Sequence, residues 1–207
     1  MRIIPTFKRK RQCGNAILEF ALVSVFLTPL LLGTVSLGLN LSRTIQVTQV
    51  VRDAGHMYAR WVDFSLLSNK QLLVRLAQGL GMTVDGGTGV VILSKVTYID
   101  DTDCTAAGLS GTACTNRNQY VIMNRVVIGN VAFHSSAIGS PAAGDMATNG
   151  DVTTYISSTS ARAANFGNIV TLQSGQFAFV TEGFFNGISW GVPGYNVGNS
   201  MNARSIF

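Results

Sequence analysis

The sequence predicts an α+β protein in which one long N-terminal helix, transmembrane in its first half, packs through its outer half on a small antiparallel β-sheet. Three observations predict it. No residue between Glu19 and Arg43 is charged, and that run makes roughly 35 Å of helix at about 1.5 Å per residue, enough to cross a bilayer core of about 30 Å with some tilt. Beyond the run, apolar residues keep recurring at spacings of three and four as far as Val62. From Gly89 the period changes to the β-branched, apolar stretches of a sheet.

The leader comes first. Arg2, Lys8, Arg9, Lys10 and Arg11 stand among residues 1–14 without an acid, and they account for the whole formal charge of +5. The rest of the chain is neutral, so its basic character says nothing about nucleic acid. A basic cluster directly before a span predicts that the N-terminus stays in the cytoplasm and the remainder lies outside it. A cleaved secretory signal is one alternative, but its apolar region is shorter, and Leu37-Gly38-Leu39-Asn40-Leu41 is a poor small-residue cleavage site. A plain signal anchor explains the basic flank and the length, yet leaves Gly14 and Glu19 as accidents. Pro29, Gly33 and Gly38 interrupt the span, as membrane helices tolerate. Cys13 invites a lipid-anchor reading, but here the apolar stretch follows the cysteine instead of preceding it.

Lys8-Arg9-Lys10-Arg11-Gln12-Cys13-Gly14, followed by Asn15-Ala16-Ile17-Leu18-Glu19-Phe20-Ala21-Leu22, resembles the type IV prepilin leader and, more closely, TadE-like proteins. The likeness extends through Pro29-Leu30-Leu31 and Gly33 to Val51-Arg52-Asp53-Ala54-Gly55, about the first quarter of the chain. The resemblance implies a pilin-like fold, and cleavage by a prepilin peptidase between Gly14 and Asn15, which makes Glu19 the fifth mature residue. It further implies a minor pilin or pseudopilin of a tight-adherence (Flp) or type IV-related pilus or secretion system, involved in cell adhesion. Its partners would be other pilin subunits and an inner-membrane assembly platform with its ATPase. Its place would be the bacterial inner membrane as a single-pass protein, with the C-terminal domain periplasmic or carried into a pilus. The competing class is a membrane-anchored extracytoplasmic binding protein with no filament role.

The role of Glu19 has a physical motive. A carboxylate costs a lone membrane helix about 2.5–3.5 kcal/mol at the bilayer centre, and less near an end. Pairing with the freed amine of a neighbouring subunit would offset that cost and fix the axial register. The plainer reading is that Glu19 reaches the headgroups.

The expected divisions are a leader over 1–14, a transmembrane helix over 15–42, a helical extension and second helix over 43–81, and an extracytoplasmic β-rich domain over 82–207. Within the extension, Val47, Val50, Val51, Ala54, Tyr58, Trp61 and Val62 form one stripe, and the helix is expected to run to Phe64. His56 has no second ligand at helical spacing and reads as structural. Ser65 to Gly81 reads as a second helix with Leu66, Leu67, Leu72, Leu73, Leu76 and Leu80 as its apolar face, Ser68 or Asn69 as a cap, and Gly79 and Gly81 as its end. Asp85-Gly86-Gly87-Thr88-Gly89 lacks the lysine and the following helix of a phosphate loop and reads as a turn. Val90–Ile99 and Tyr120–Ile128, each with a polar middle, form a long antiparallel hairpin. Gly175–Phe185 supplies a third strand whose aromatics cover the core side. Ser135–Val170, rich in small and polar residues, is expected to be a long exposed loop with a short element around Asp151–Ile156. The tail is expected to dock through Trp190, Ile206 and Phe207.

Chemistry is sparse. Cys104 and Cys114 lie in one loop, and outside the cytoplasm they are expected to form a disulfide, which by chain-entropy reasoning stabilises by roughly 2–3 kcal/mol. Asp100, Asp101 and Asp103 carry the residue types of a calcium site without EF-hand spacing and read as a solvated turn. His134-Ser135-Ser136 is no triad by adjacency alone. The sequence calls for no enzyme, metal or cofactor.

Overall fold

The computed structural model describes residues 15–187 and 200–207. Helix α1 runs without a break over Asn15–Ala59, with Pro29 inside it. Helix α2 covers Leu67–Leu76. Strand β1 (Gly89–Ile99) leads through a short helix α3 (Asp101–Ala106) into β2 (Gln119–Gly129), and β3 (Phe177–Phe185) and β4 (Met201–Ile206) complete the set. The four strands form one antiparallel sheet in the order β2-β1-β3-β4.

The expected hairpin is β1–β2, and its polar middle has a structural meaning. Lys95 pairs with Asn124 but Val96 pairs with Ile122, so Met123 is the extra residue of a bulge that bends the ladder. The turn expected at Asp85–Gly89 is present: Met82 bridges Gly87, and Thr83 N–H donates to Gly86 O at 3.1 Å.

One face of the sheet takes the outer part of α1. Val47, Val50, Val51, Ala54 and Tyr58 bury against Val91, Leu93, Val126, Ile128 and Phe185. Two glycines permit the approach. A Cβ on Gly183 would stand 2.4 Å from Val51 Cγ2, and one on Gly55 would stand 2.2 Å from the Phe207 ring. Along α1 the contacts pass from Gly183 opposite Val51 to Phe179 opposite Tyr58. Strand β3 therefore runs antiparallel to α1, and the β1–β2 connection lies at the end of the sheet remote from the apolar part of the helix.

The other face is also covered, which corrects the expectation of an exposed loop over Ser135–Val170. Ile138, Val152, Ala161, Ala163 and Phe166 bury against Val96, Ile122, Ala178 and Val180. The same segment closes the free edge of β2: Gly150 O accepts from Arg125 N–H, Met123 O from Val152 N–H, and Tyr120 O from Ala163 N–H, each at 2.8 Å. Alanines and glycines let backbone lie close to the sheet, so a composition read as solvent-facing is here the composition of close approach. A central strand buried on both faces demands such a cover. The element expected near Asp151–Ile156 reduces to isolated bridges at Asp151 and Val152 followed by turns.

Other expectations shift in detail. Helix α1 ends at Ala59, not Phe64, and Trp61 leaves the stripe: it takes φ 65° and is 69% exposed. Helix α2 starts after Leu66 with no side-chain cap, so Ser68 and Asn69 sit inside its first turn. Its leucines divide, with Leu73 and the following Leu80 buried and Leu66, Leu67, Leu72 and Leu76 exposed. The β3 aromatics also divide. Phe179 and Phe185 face α1, while Phe184 packs on the opposite side with Val90 and Ile92. The tail does dock, as a fourth strand. Phe207 packs on His56 at 4.4 Å between ring centroids, which gives the structural role expected for that histidine, and Ile206 packs on the other face. Trp190 lies outside the described residues.

Candidate functional site

The candidate site is α1 itself. Its first thirty or so residues touch almost nothing of the rest of the chain. Ile17, Leu18 and Phe20 are 72%, 70% and 75% exposed, and the large apolar residues through Ile45 are exposed likewise. Among the apolar residues of α1, burial begins at Val47. A helix that is apolar all round and unpacked is stable only in an apolar surrounding, and α1 is long and apolar enough to cross a membrane. Local bonds serve several of its polar side chains: the hydroxyls of Thr34, Ser36, Thr44 and Thr48 donate to carbonyls three or four residues earlier at 2.7–2.9 Å.

Glu19 is the exception. It stands exposed in the second turn of α1 and makes no ion pair among the described residues. Among the described residues no cation meets that charge. Gly14 and Cys13 lie outside the described residues, and Asn15 is the first residue of α1.

Where α1 enters the sheet domain, polar groups lock its end. Tyr58 Oη donates to Asn124 Oδ1 at 2.6 Å, and Asn124 Nδ2 donates to Asp151 Oδ1 at 2.7 Å. Burial, then the Asp151 charge, pushes the Tyr58 phenol well above its ordinary value. Trp61 sets its ring edge-on to Phe179 at 5.7 Å, with Lys95 Nζ 4.4 Å from the Trp61 centroid. Burial lowers the Lys95 ammonium, with Asp151 opposing.

The head holds Cys104 and Cys114 in a disulfide, with Cα atoms 5.7 Å apart, both buried. The neighbouring acids form a helix cap, not a solvated turn. Asp100 accepts from the N–H groups of Thr102 and Asp103, and Asp103 accepts from Asp100 N–H. These bonds hold the Asp100 carboxyl below its ordinary value. Asp101 pairs with Arg117 at 2.9 Å.

Sequence reasoning missed a buried ionic group on the face of the sheet away from α1. Glu182, 1% exposed, accepts from Arg204 Nη2 at 2.7 Å and Nε at 3.1 Å, from Ala137 N–H at 3.3 Å, and from the Ser136 hydroxyl. The available signal was an acid within an otherwise apolar strand, since such residues bury only with partners. Ser136 is thus committed to a structural carboxylate, and His134 stacks flat on Phe184 at 3.8 Å.

Residues 14–56 match the family described as TadE-like protein, so the segment holding the candidate site is TadE-like. The family is associated with the tight-adherence pilus and is one of structural components. The match begins at Gly14 and stops within α1, leaving the sheet domain outside it. No curated protein and no solved structure matches the chain.

Proposed function

We propose that the chain is a minor pilin or pseudopilin of a tight-adherence or related pilus or secretion system. In this reading a prepilin peptidase removes residues 1–14, the freed α1 anchors the subunit in the inner membrane, and the sheet domain stands outside. Glu19 pairs with the N-terminal amine of a neighbouring subunit, and assembly draws on a membrane platform and its ATPase. The observation that carries the proposal is the division of α1: an unpacked apolar half bearing one carboxylate that makes no ion pair among the described residues, continuous with a half locked into a head. A helix spliced rigidly to its head transmits a register set in the membrane to the head outside, which is what a stacked subunit needs.

Two measurements test it together. Intact-mass spectrometry of protein recovered from membranes should give a chain beginning at Asn15. A chain beginning at Met1 would sink the reading and favour a plain anchored binding protein. Glu19→Ala should still insert and still be cleaved, because removing a charge eases insertion. Its cross-linking to other pilin subunits should fall at equal membrane abundance, since the desolvated amine loses its partner. Unchanged cross-linking would leave Glu19 a headgroup contact.

A further inference from the structure

The sheet face away from α1 carries a second feature, independent of how the chain is processed or assembled. Arg125 in β2 and Ser94 in β1 are direct cross-strand partners, so their side chains share that face. They are 6% and 0% exposed. Among the described residues, Arg125 Nε, Arg125 Nη2 and Ser94 Oγ have no hydrogen-bond partner. The remaining guanidinium nitrogen, Nη1, donates to Gly139 O at 2.6 Å. Nε and Nη2 form one edge of the guanidinium, the edge that meets a carboxylate or phosphate with two parallel hydrogen bonds. The nearby carboxylate, Glu182, makes no ion pair with it, both of its oxygens being taken by Ser136, Ala137 and Arg204. Leaving buried donors unmet is costly, and burial pushes the Arg125 guanidinium down to about 10 despite Glu182.

Arg125 also lines a cavity of about 400 Å³ between β2, α2 and the 131–150 segment. Lys70 and His134 stand in its wall with the hydroxyl residues Ser65, Ser135, Ser136, Ser140 and Thr148, and no Asp or Glu is among the lining residues. That volume lies within the range of about 300–1,000 Å³ usual for small-molecule sites, and exceeds what a bare inorganic ion would fill.

We propose that this cavity binds a small molecule carrying a carboxylate or phosphate group, received by the Nε and Nη2 edge of Arg125 with Lys70 as the second cation. The two nitrogens are themselves closed to solvent, so the overlying segment must give as the group seats. The test uses the full mature chain in detergent micelles, by titration calorimetry and thermal melting at matched ionic strength. The probes are inorganic phosphate, acetate, glucose 6-phosphate and glucuronate, with glucose and added chloride as controls. At least one anionic probe should give saturable heat and a raised melting temperature, and the controls should give neither. A phosphate-bearing or a carboxylate-bearing responder identifies the source. Arg125→Lys, which keeps the charge without the fork, should weaken binding at least about tenfold, the value of roughly one charge-assisted hydrogen bond. Lys70→Gln should weaken it severalfold with the unliganded melting temperature unchanged. No saturable binding by any of the four probes overturns the proposal, as does binding unchanged in Lys70→Gln. Both results stand even if the arginine variant fails to fold.

Discussion

Replacing Glu182 by alanine tests the reading of the sheet face most severely. The side chain is 1% exposed, and it receives four donors: Arg204 Nη2 and Nε, Ala137 N–H and the Ser136 hydroxyl. Removing one partner of a buried pair costs about 3–5 kcal/mol. Arg204 is 35% exposed in its side chain and can recover some hydration, which moves the expectation to the lower end. Arg125 is 6% exposed and cannot turn to water when its nearest counter-charge is gone. The expected loss is therefore about 3 kcal/mol, and for a chain of this size that lowers Tm by roughly 6–12 °C at about 2–4 °C per kcal/mol. Thermal unfolding of the detergent-solubilised chain, followed by near-ultraviolet circular dichroism, reads it. The double variant Glu182→Leu with Arg204→Leu should recover part of the loss, because exchanging both partners leaves neither charge stranded. A Glu182→Ala Tm within about a degree of the parent, or a double variant no better than the single one, refutes the reasoning.

Two further outcomes follow from the packing. Gly183→Ala places a methyl group 2.4 Å from Val51 Cγ2, so the chain should lose about 1–3 kcal/mol by overpacking, with Val51→Ala in the same background restoring part of it in denaturant titrations. Reduction of Cys104–Cys114, or the Cys104→Ser/Cys114→Ser pair, should cost about 2–3 kcal/mol for its short loop, and hydrogen exchange should quicken first in α3 and the 107–118 segment. Free-thiol labelling of native protein without reductant should modify neither cysteine.

The candidate membrane span and its charge pattern were legible in the sequence, because hydropathy is a local property of the chain. Length, hydropathy and the absence of charge between Glu19 and Arg43 depend on no tertiary contact. Buried positions of the outer helix, from Val47 to Tyr58, and the long hairpin were legible for the same reason, since the periods 3.6 and 2 survive in one dimension. Cys104 and Cys114 were paired by compartment and spacing, and they are bonded. What the sequence could not decide is which side of a strand meets what. Strand β1 is buried on both faces, and only the fold shows that Ser135–Val170 supplies the second cover. The partners of Glu182 come from residues 136, 137 and 204, and Arg125 meets Ser94 through a register set by a bulge at Met123. Those meetings depend on long loop closures and on strand register, which carry no short-range sequence signal. The sequence by itself therefore determined which helix is long and apolar enough to cross a membrane; the tertiary structure alone decided which charges are buried together, because that depends on distance in space between residues far apart in the chain.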